Sequence, residues 1–134
     1  MSTTHLRVIT PERQVVDEDV EMVILRGTEG ELGVLPQHAL LMTALDPAPL
    51  RLKREGTWGV LAASAGFLEV GPRHVTVLVD SCERPEEIDV QRARAARKRA
   101  EERLKAKRED VDYARAKAAL QRAIARLKAA GYDE

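Results

Sequence analysis

From Leu6 to Asp80 the chain runs in short stretches of Val, Leu and Ile, many alternating with polar residues and separated by Gly and Pro. That is the pattern of half-buried strands. Val20, Met22 and Ile24 alternate with Glu21, Val23 and Leu25, and Leu50 and Leu52 alternate with Arg51 and Lys53. The Arg54-Glu55-Gly56-Thr57 stretch reads as a turn, and Gly71-Pro72-Arg73-His74 separates a run at Phe67 to Val70 from one at Val75 to Val79. Many short strands at this spacing predict a sandwich or a flattened barrel.

The pattern changes at Pro85. Beyond it there is no Pro and a single Gly, Gly131, and Ala, Arg, Lys, Glu and Leu, all strong helix formers, dominate. Residues 1–85 are therefore read as a β-sandwich docking domain and 86–134 as a helical hairpin. Asp89 is a suitable N-cap for a first helix to about Lys107, Asp110 or Asp112 for a second, and Gly131 is suited to end it. Tyr113, Ala116, Leu120, Ile124 and Leu127 fall on one stripe of the second helix, whereas the first offers little beyond Ala93, Ala96, Ala100 and Leu104. At about 25 cal/mol per Å² of buried apolar area, such an alanine-lined contact yields only a few kcal/mol. A bound ligand can add or withhold as much, so the hairpin can act as a switch.

Composition agrees with a thin core: 44% of the 134 residues are hydrophobic, but only 3% are aromatic. The formal net charge of zero conceals a division, since residues 1–89 hold 8 Lys+Arg against 15 Asp+Glu and residues 90–130 hold 14 against 5. The two parts are thereby fitted to different partners. The lone Cys82 cannot form an intrachain disulfide. No apolar run has the roughly 20 residues of a membrane span. The chain has no GxxxxGK[ST], GxGxxG or HExxH motif, and His5, His38 and His74 lie far apart, so neither a catalytic centre nor a metal site is expected.

The arginines of the hairpin carry the sharper signal. Arg92 and Arg99 are seven apart and Arg122 and Arg126 four apart, each pair on one face of its helix. A chain folded back near residue 110 places Arg99 beside Arg122 and Arg92 near Arg126, because antiparallel neighbours then have numbers summing to about 220. Four converging guanidinium groups repel one another unless a multiply charged anion accepts their bidentate hydrogen bonds. A solvated basic face is the plain alternative reading.

Gly30-Glu31-Leu32-Gly33-Val34-Leu35-Pro36-Gln37-His38 and Gly66-Phe67-Leu68-Glu69-Val70 resemble the ε subunits of bacterial F-type ATP synthases. The resemblance runs along the whole chain, through Ile9-Thr10-Pro11-Glu12, the acidic segment Asp17 to Glu21, and Ile88-Asp89-Val90-Gln91-Arg92-Ala93, which fits an [IL]DxxRA pattern. It implies an antiparallel β-sandwich of about ten strands that binds the γ subunit and the c-ring at the cytoplasmic face of the membrane. Glu29, Glu31 and His38 are the implied contacts to the ring. It further implies a hairpin that folds when ATP is bound and otherwise extends into the α/β catalytic head to inhibit hydrolysis. Carried over residue by residue, the ATP site comprises Glu83, Ile88, Asp89, Arg92 and Ala93 with Arg99, Arg122 and Arg126, the nucleotide being a regulatory ligand with or without Mg²⁺. Gln37 and Ala65 depart from the family pattern, each standing where Gly is common.

Two other readings remain at this point: a coupling subunit whose arginines meet acidic protein surfaces without meaningful ATP binding, and a basic hairpin that binds nucleic acid nonspecifically. Against the latter, Tyr113 and Tyr132 are the only aromatics after residue 67, too few for base stacking, and nucleic acid is not expected as a partner.

Overall fold

The computed structural model describes residues 2–106 and 111–132. Ten strands come first: β1 (Thr4–Ile9), β2 (Gln14–Val20), β3 (Met22–Gly27), β4 (Gly30–Val34), β5 (Leu41–Leu45), β6 (Ala48–Arg54), β7 (Thr57–Ala63), β8 (Gly66–Val70), β9 (His74–Val79) and β10 (Cys82–Glu83). A short 3-10 turn at Pro85–Glu87 leads into two helices, α1 (Val90–Lys105) and α2 (Tyr113–Ala129). This is the β-sandwich followed by a helical hairpin that the pattern predicts.

The strands form one hydrogen-bonded series, β10-β7-β6-β3-β5-β8-β9-β1-β2, with β4 paired to β3. A single register pair, Gly27 with Leu45, joins β3 to β5, so the series folds there into two layers. A Cβ on Gly27 would already press on the Leu32 side chain at 3.2 Å, which suits glycine to this corner. Pairing is antiparallel except between β1 and β9, which run parallel in the register Leu6 with Val75 and Val8 with Val77. Across the open side, Arg54 donates to both carboxylate oxygens of Glu18 at 2.6 and 2.7 Å, holding β2 against the β6–β7 turn.

Between the layers lie Leu6, Val8, Val20, Val23, Leu50, Leu68, Val75 and Val77, all at 2% exposure or less. Burial follows the expected alternation in β6, where Leu50 and Leu52 point in and Arg51 is exposed. It does not follow one phase through residues 20–25. Val20 ends β2, Glu21 is a bend, and the phase restarts in β3 with Val23 and Leu25 buried. The expected turns at 54–57 and 71–74 are present, and Glu55 and Gly56 take φ of 49° and 77°, the left-handed pair that lets two residues close a hairpin. Gln37 also has a positive φ, 65°, a physical reason for the glycine common there in the family it resembles. At Gly66 a Cβ would collide with the Leu78 carbonyl oxygen across the β8–β9 pair.

In the helices, Asp89 and Asp112 are the N-caps, their carboxylates accepting from the amides of Arg92 and Arg115 at 3.1 Å. Lys107 and Asp110, the other expected helix limits, lie outside the described residues. Gly131, at φ 94°, ends α2 with the Tyr132 amide donating to Leu127 at 2.8 Å. α2 packs against α1 and also against β6 and β7, so it forms the middle layer. Its burial is accordingly wider than one stripe. Ala116, Ala123 and Leu127 are buried on one side, and Ala125 and Ala129, roughly half a turn away at 100° per residue, on another. Tyr113, expected on the stripe, is exposed instead, and its hydroxyl donates to the Ala106 carbonyl at 2.6 Å at the end of α1.

Candidate functional site

The link between sandwich and hairpin is held from the sheet side. Arg13 donates to the Cys82 carbonyl at 3.2 Å and to Glu87 at 2.9 Å, Arg84 donates to the Val15 carbonyl at 2.7 Å, and Glu87 accepts from the Arg84 amide at 2.9 Å. The bond from Arg13, with the Arg84 amide second, holds the Glu87 carboxyl below its usual range. Cys82 is buried beside this link, and loss of solvent pushes its thiol up to about 11, leaving it an inert core group.

Above the link a cavity of about 290 Å³ is lined by Glu83, Glu87, Asp89, Arg92, Ala93, Ala96, Arg99 and Arg126. The 3-10 turn and the α1 N-cap bring Glu87 and Asp89 to it, α1 contributes Arg92 and Ala93, then Ala96, then Arg99 on three successive turns, and α2 contributes Arg126. Arg126 Nε donates to Glu83 Oε1 at 2.5 Å, a half-buried ion pair that ties the middle layer to β10. Six of the eight residues expected at a nucleotide site thus converge on one cavity. Arg122 stands just beside it, facing Glu83 and Arg126 over Ala62 and Ala63 of β7, and Ile88 does not line it. Glu87 does line it and was not foreseen. Its one sequence signal is a glutamate three residues after the polar residue that opens the turn, the spacing at which such a side chain returns to the backbone.

Three guanidinium groups and three carboxylates line the cavity, so it presents both donors suited to phosphate oxygens and acceptors suited to amine or hydroxyl groups. Among the described residues no three His, Cys, Asp or Glu side chains gather as metal ligands.

The other expected contacts lie on the sandwich. Glu29 is in the β3–β4 turn, which the Thr28 amide ties to Ala44 at 3.1 Å, and Glu31 on β4 pairs with Arg51 at 3.2 Å. His38 sits in the β4–β5 loop, Nδ1 at 2.8 Å from the Ala39 carbonyl, and the neighbouring Gln37 amide donates to Pro72 at 2.9 Å. Leu35, Leu40 and Met42 are exposed in the same region. On the outer face of the second layer a cross-strand row of Ile9, Leu78, Phe67 and Ala44 is in register over β1, β9, β8 and β5, with Phe67 65% and Leu78 50% exposed. Exposed apolar rows of this kind mark docking surfaces. Sequence reading missed this one, because alternation alone does not say which face of a strand is outside. Among the described residues no helix is long and apolar enough to cross a membrane.

A two-layer sandwich with an apolar outer row, carrying a charged helix pair, defines a docking module. Comparison with known proteins makes that specific. The family model for the ATP synthase delta/epsilon chain β-sandwich domain matches residues 3–85, and that for the delta/epsilon chain long α-helix domain matches 86–131. An ATP synthase epsilon chain of Pelotomaculum thermopropionicum is 53% identical over 105 residues, 78% of each chain, and one of Brevibacillus brevis is 51% identical over 108 residues, 80% of this chain and 82% of the relative. A chain in the cryo-EM structure of Euglena gracilis mitochondrial ATP synthase, OSCP/F1/c-ring, superimposes with a TM-score of 0.82 at 26% identity, covering 97% of this chain and 82% of that one. A chain of the Tetrahymena thermophila mitochondrial ATP synthase central stalk and c-ring shares the fold, with a TM-score of 0.62 at 16% identity. The chain belongs to the ATP synthase delta/epsilon chain family, and so to the non-catalytic subunits of that enzyme.

Proposed function

We propose that the chain is a rotor subunit of the central stalk of a bacterial F-type ATP synthase, peripheral to the cytoplasmic face of the membrane. In this reading the sandwich couples γ to the c-ring, and the hairpin binds ATP as a regulatory ligand and, when extended into the α/β head, inhibits hydrolysis. The apolar row of Leu78 and Phe67 supports docking of the sandwich on a protein partner. Exposed Glu29 and Glu31, with His38 nearby in sequence, are the groups assigned to the ring.

The observation that carries the nucleotide part is the gathering of Glu83, Asp89, Arg92, Ala93, Arg99 and Arg126 around one cavity. The carboxylates suit the amine and hydroxyl donors of adenosine, the arginines suit the phosphates, and Ala93 leaves room for close approach. A ligand that bridges α1, α2 and the link can bind only the folded hairpin, and so shifts the population toward it. No cleavage of the ATP is required. The extended alternative is geometrically adequate, since about 40 helical residues span about 60 Å.

Calorimetric titration of ATP into the full chain tests this reading. One saturable site is expected, weakened by more than about tenfold in an Arg92→Ala/Arg126→Ala variant, each tenfold being about 1.4 kcal/mol. Absence of binding to the wild type would reduce the hairpin to a mechanical brake and refute the sensor.

A further inference from the structure

The buried face of α1 carries Ala93 and Ala100, and on that same face, four residues after the one and three before the other, stands Arg97. α1 packs chiefly on α2, so this face is the seam between the helices. A seam of alanines brings two backbones close, and a long cation lies within it. The Arg97 side chain is 24% exposed, and its Nη1 is buried with no hydrogen-bond partner among the described residues. Its counter-charge is Glu101, one turn further along α1, with Nε 3.5 Å from Oε1, longer than an ordinary hydrogen bond. Both members of that pair belong to α1, so it is available whether or not α2 is in place and does not favour closure.

We infer that Arg97 is an opening element built into the hairpin, a guanidinium that is solvated when the helices are apart and left with an unmet donor when they are together. A buried N–H without an acceptor forfeits the hydrogen bonds it made to water, and a charged group forfeits more than a neutral one. The loss arises only when α2 covers α1. It is not relieved by a molecule in the 290 Å³ cavity, because Arg97 does not line that cavity. Closure of an alanine seam is thus opposed by a fixed amount, which keeps the open form within reach. An apolar side chain of similar length would fill the same space with no donor to satisfy, the case in which replacing a buried charge stabilises. Methionine meets that need, being unbranched and close to arginine in helix propensity. The inference goes beyond the nucleotide reading and does not rest on it.

Hydrogen exchange of the full chain without nucleotide is the test. A helix of 16 residues is marginal by itself, so the α1 amides exchange once α1 leaves α2. In Arg97→Met they are expected to exchange more slowly than in the wild type by about fivefold or more, with the strand amides unchanged. Lys98→Met makes the same replacement of a cation by methionine at the exposed neighbouring position, and is expected to stay within about twofold of the wild type. Two outcomes overturn the proposal. Unchanged or faster exchange in Arg97→Met would show that the guanidinium is neutral or stabilising where it lies, and equal slowing in Lys98→Met would assign the effect to lost charge rather than to burial. No nucleotide is present, so a failure of ATP to bind bears on the regulatory reading alone.

Discussion

The sandwich and the hairpin are built from different core residues, and that difference assigns their roles. Between the sheet layers the fully buried positions are Leu and Val, such as Leu6, Leu50, Leu68, Val75 and Val77, each contributing about 1.5–3 kcal/mol on burial. Across the helix pair the buried residues are Ala93, Ala100, Ala116, Ala123, Ala125 and Ala129, with Leu127 the single large one among the described residues. An alanine contact brings helix backbones close but removes little apolar area from water. The sandwich is therefore a fixed platform and the hairpin a part held on by a modest margin, which one ligand or one ion pair such as Arg126–Glu83 can decide.

Matched truncations can break this comparison. Leu68→Ala empties a fully buried site between the layers and is expected to cost about 2–5 kcal/mol, lowering the denaturation midpoint of the whole molecule. Leu127→Ala removes the one large anchor of α2 and is expected to cost about 2–3 kcal/mol, confined to the hairpin. Hydrogen exchange separates the two: faster exchange in α1 and α2 with unchanged strand amides is expected for Leu127→Ala. If strands and helices accelerate together, the platform and the hairpin are one cooperative unit and the distinction fails.

A smaller effect sharpens the platform side. His5 on β1 bonds Asp19 through Nδ1 at 2.8 Å and Asp17 through Nε2 at 2.5 Å, which favours its charged form, its pKa raised above 6.5 chiefly by the Asp19 bond and then by that to Asp17. A raised folded value means that the stabilisation is fully present below about pH 6.5 and is lost as pH rises through the folded pKa. Asp17 is shifted down, chiefly by His5, so its share is lost in turn as pH falls through its lowered value. His5→Gln should consequently lower the melting temperature by a degree or so near pH 5.5 and have no effect near pH 9. A pH-independent difference would show that the side chain acts by packing alone.

Much of this plan can be read from the chain. Leu50 and Leu52 announce β6 because one face of that strand is buried and the other solvated, and Asp89 announces α1 because a carboxylate there can take the Arg92 amide. The apolar stripe of α2 is the instructive miss. Ala116 and Leu127 are buried, but Ala125 and Ala129 are buried too, because the sheet covers a second side of the helix, and a single-helix wheel has no knowledge of a second neighbour. In the candidate site, Arg92, Arg99 and Arg126 could be brought together on paper by folding the chain near residue 110. Glu87 and the Arg13 clamp behind it could not, because that contact spans 74 positions and depends on which sheet edge the link crosses.

The layering of α2 between sheet and α1 also sets an order of loosening. α1 packs chiefly on α2, whereas α2 holds two interfaces, and the Arg13–Glu87 and Arg84–Val15 bonds fasten the root of α1 but not its body. The outer helix can therefore swing on its root at the expense of one alanine seam, while moving the inner helix off the sheet breaks its seam on β6 and β7 and its Glu83 tether together. Release of the pair is thus graded at the outside and all-or-none at the inside, and it is the inner step, not the outer one, that turns a breathing motion into a commitment.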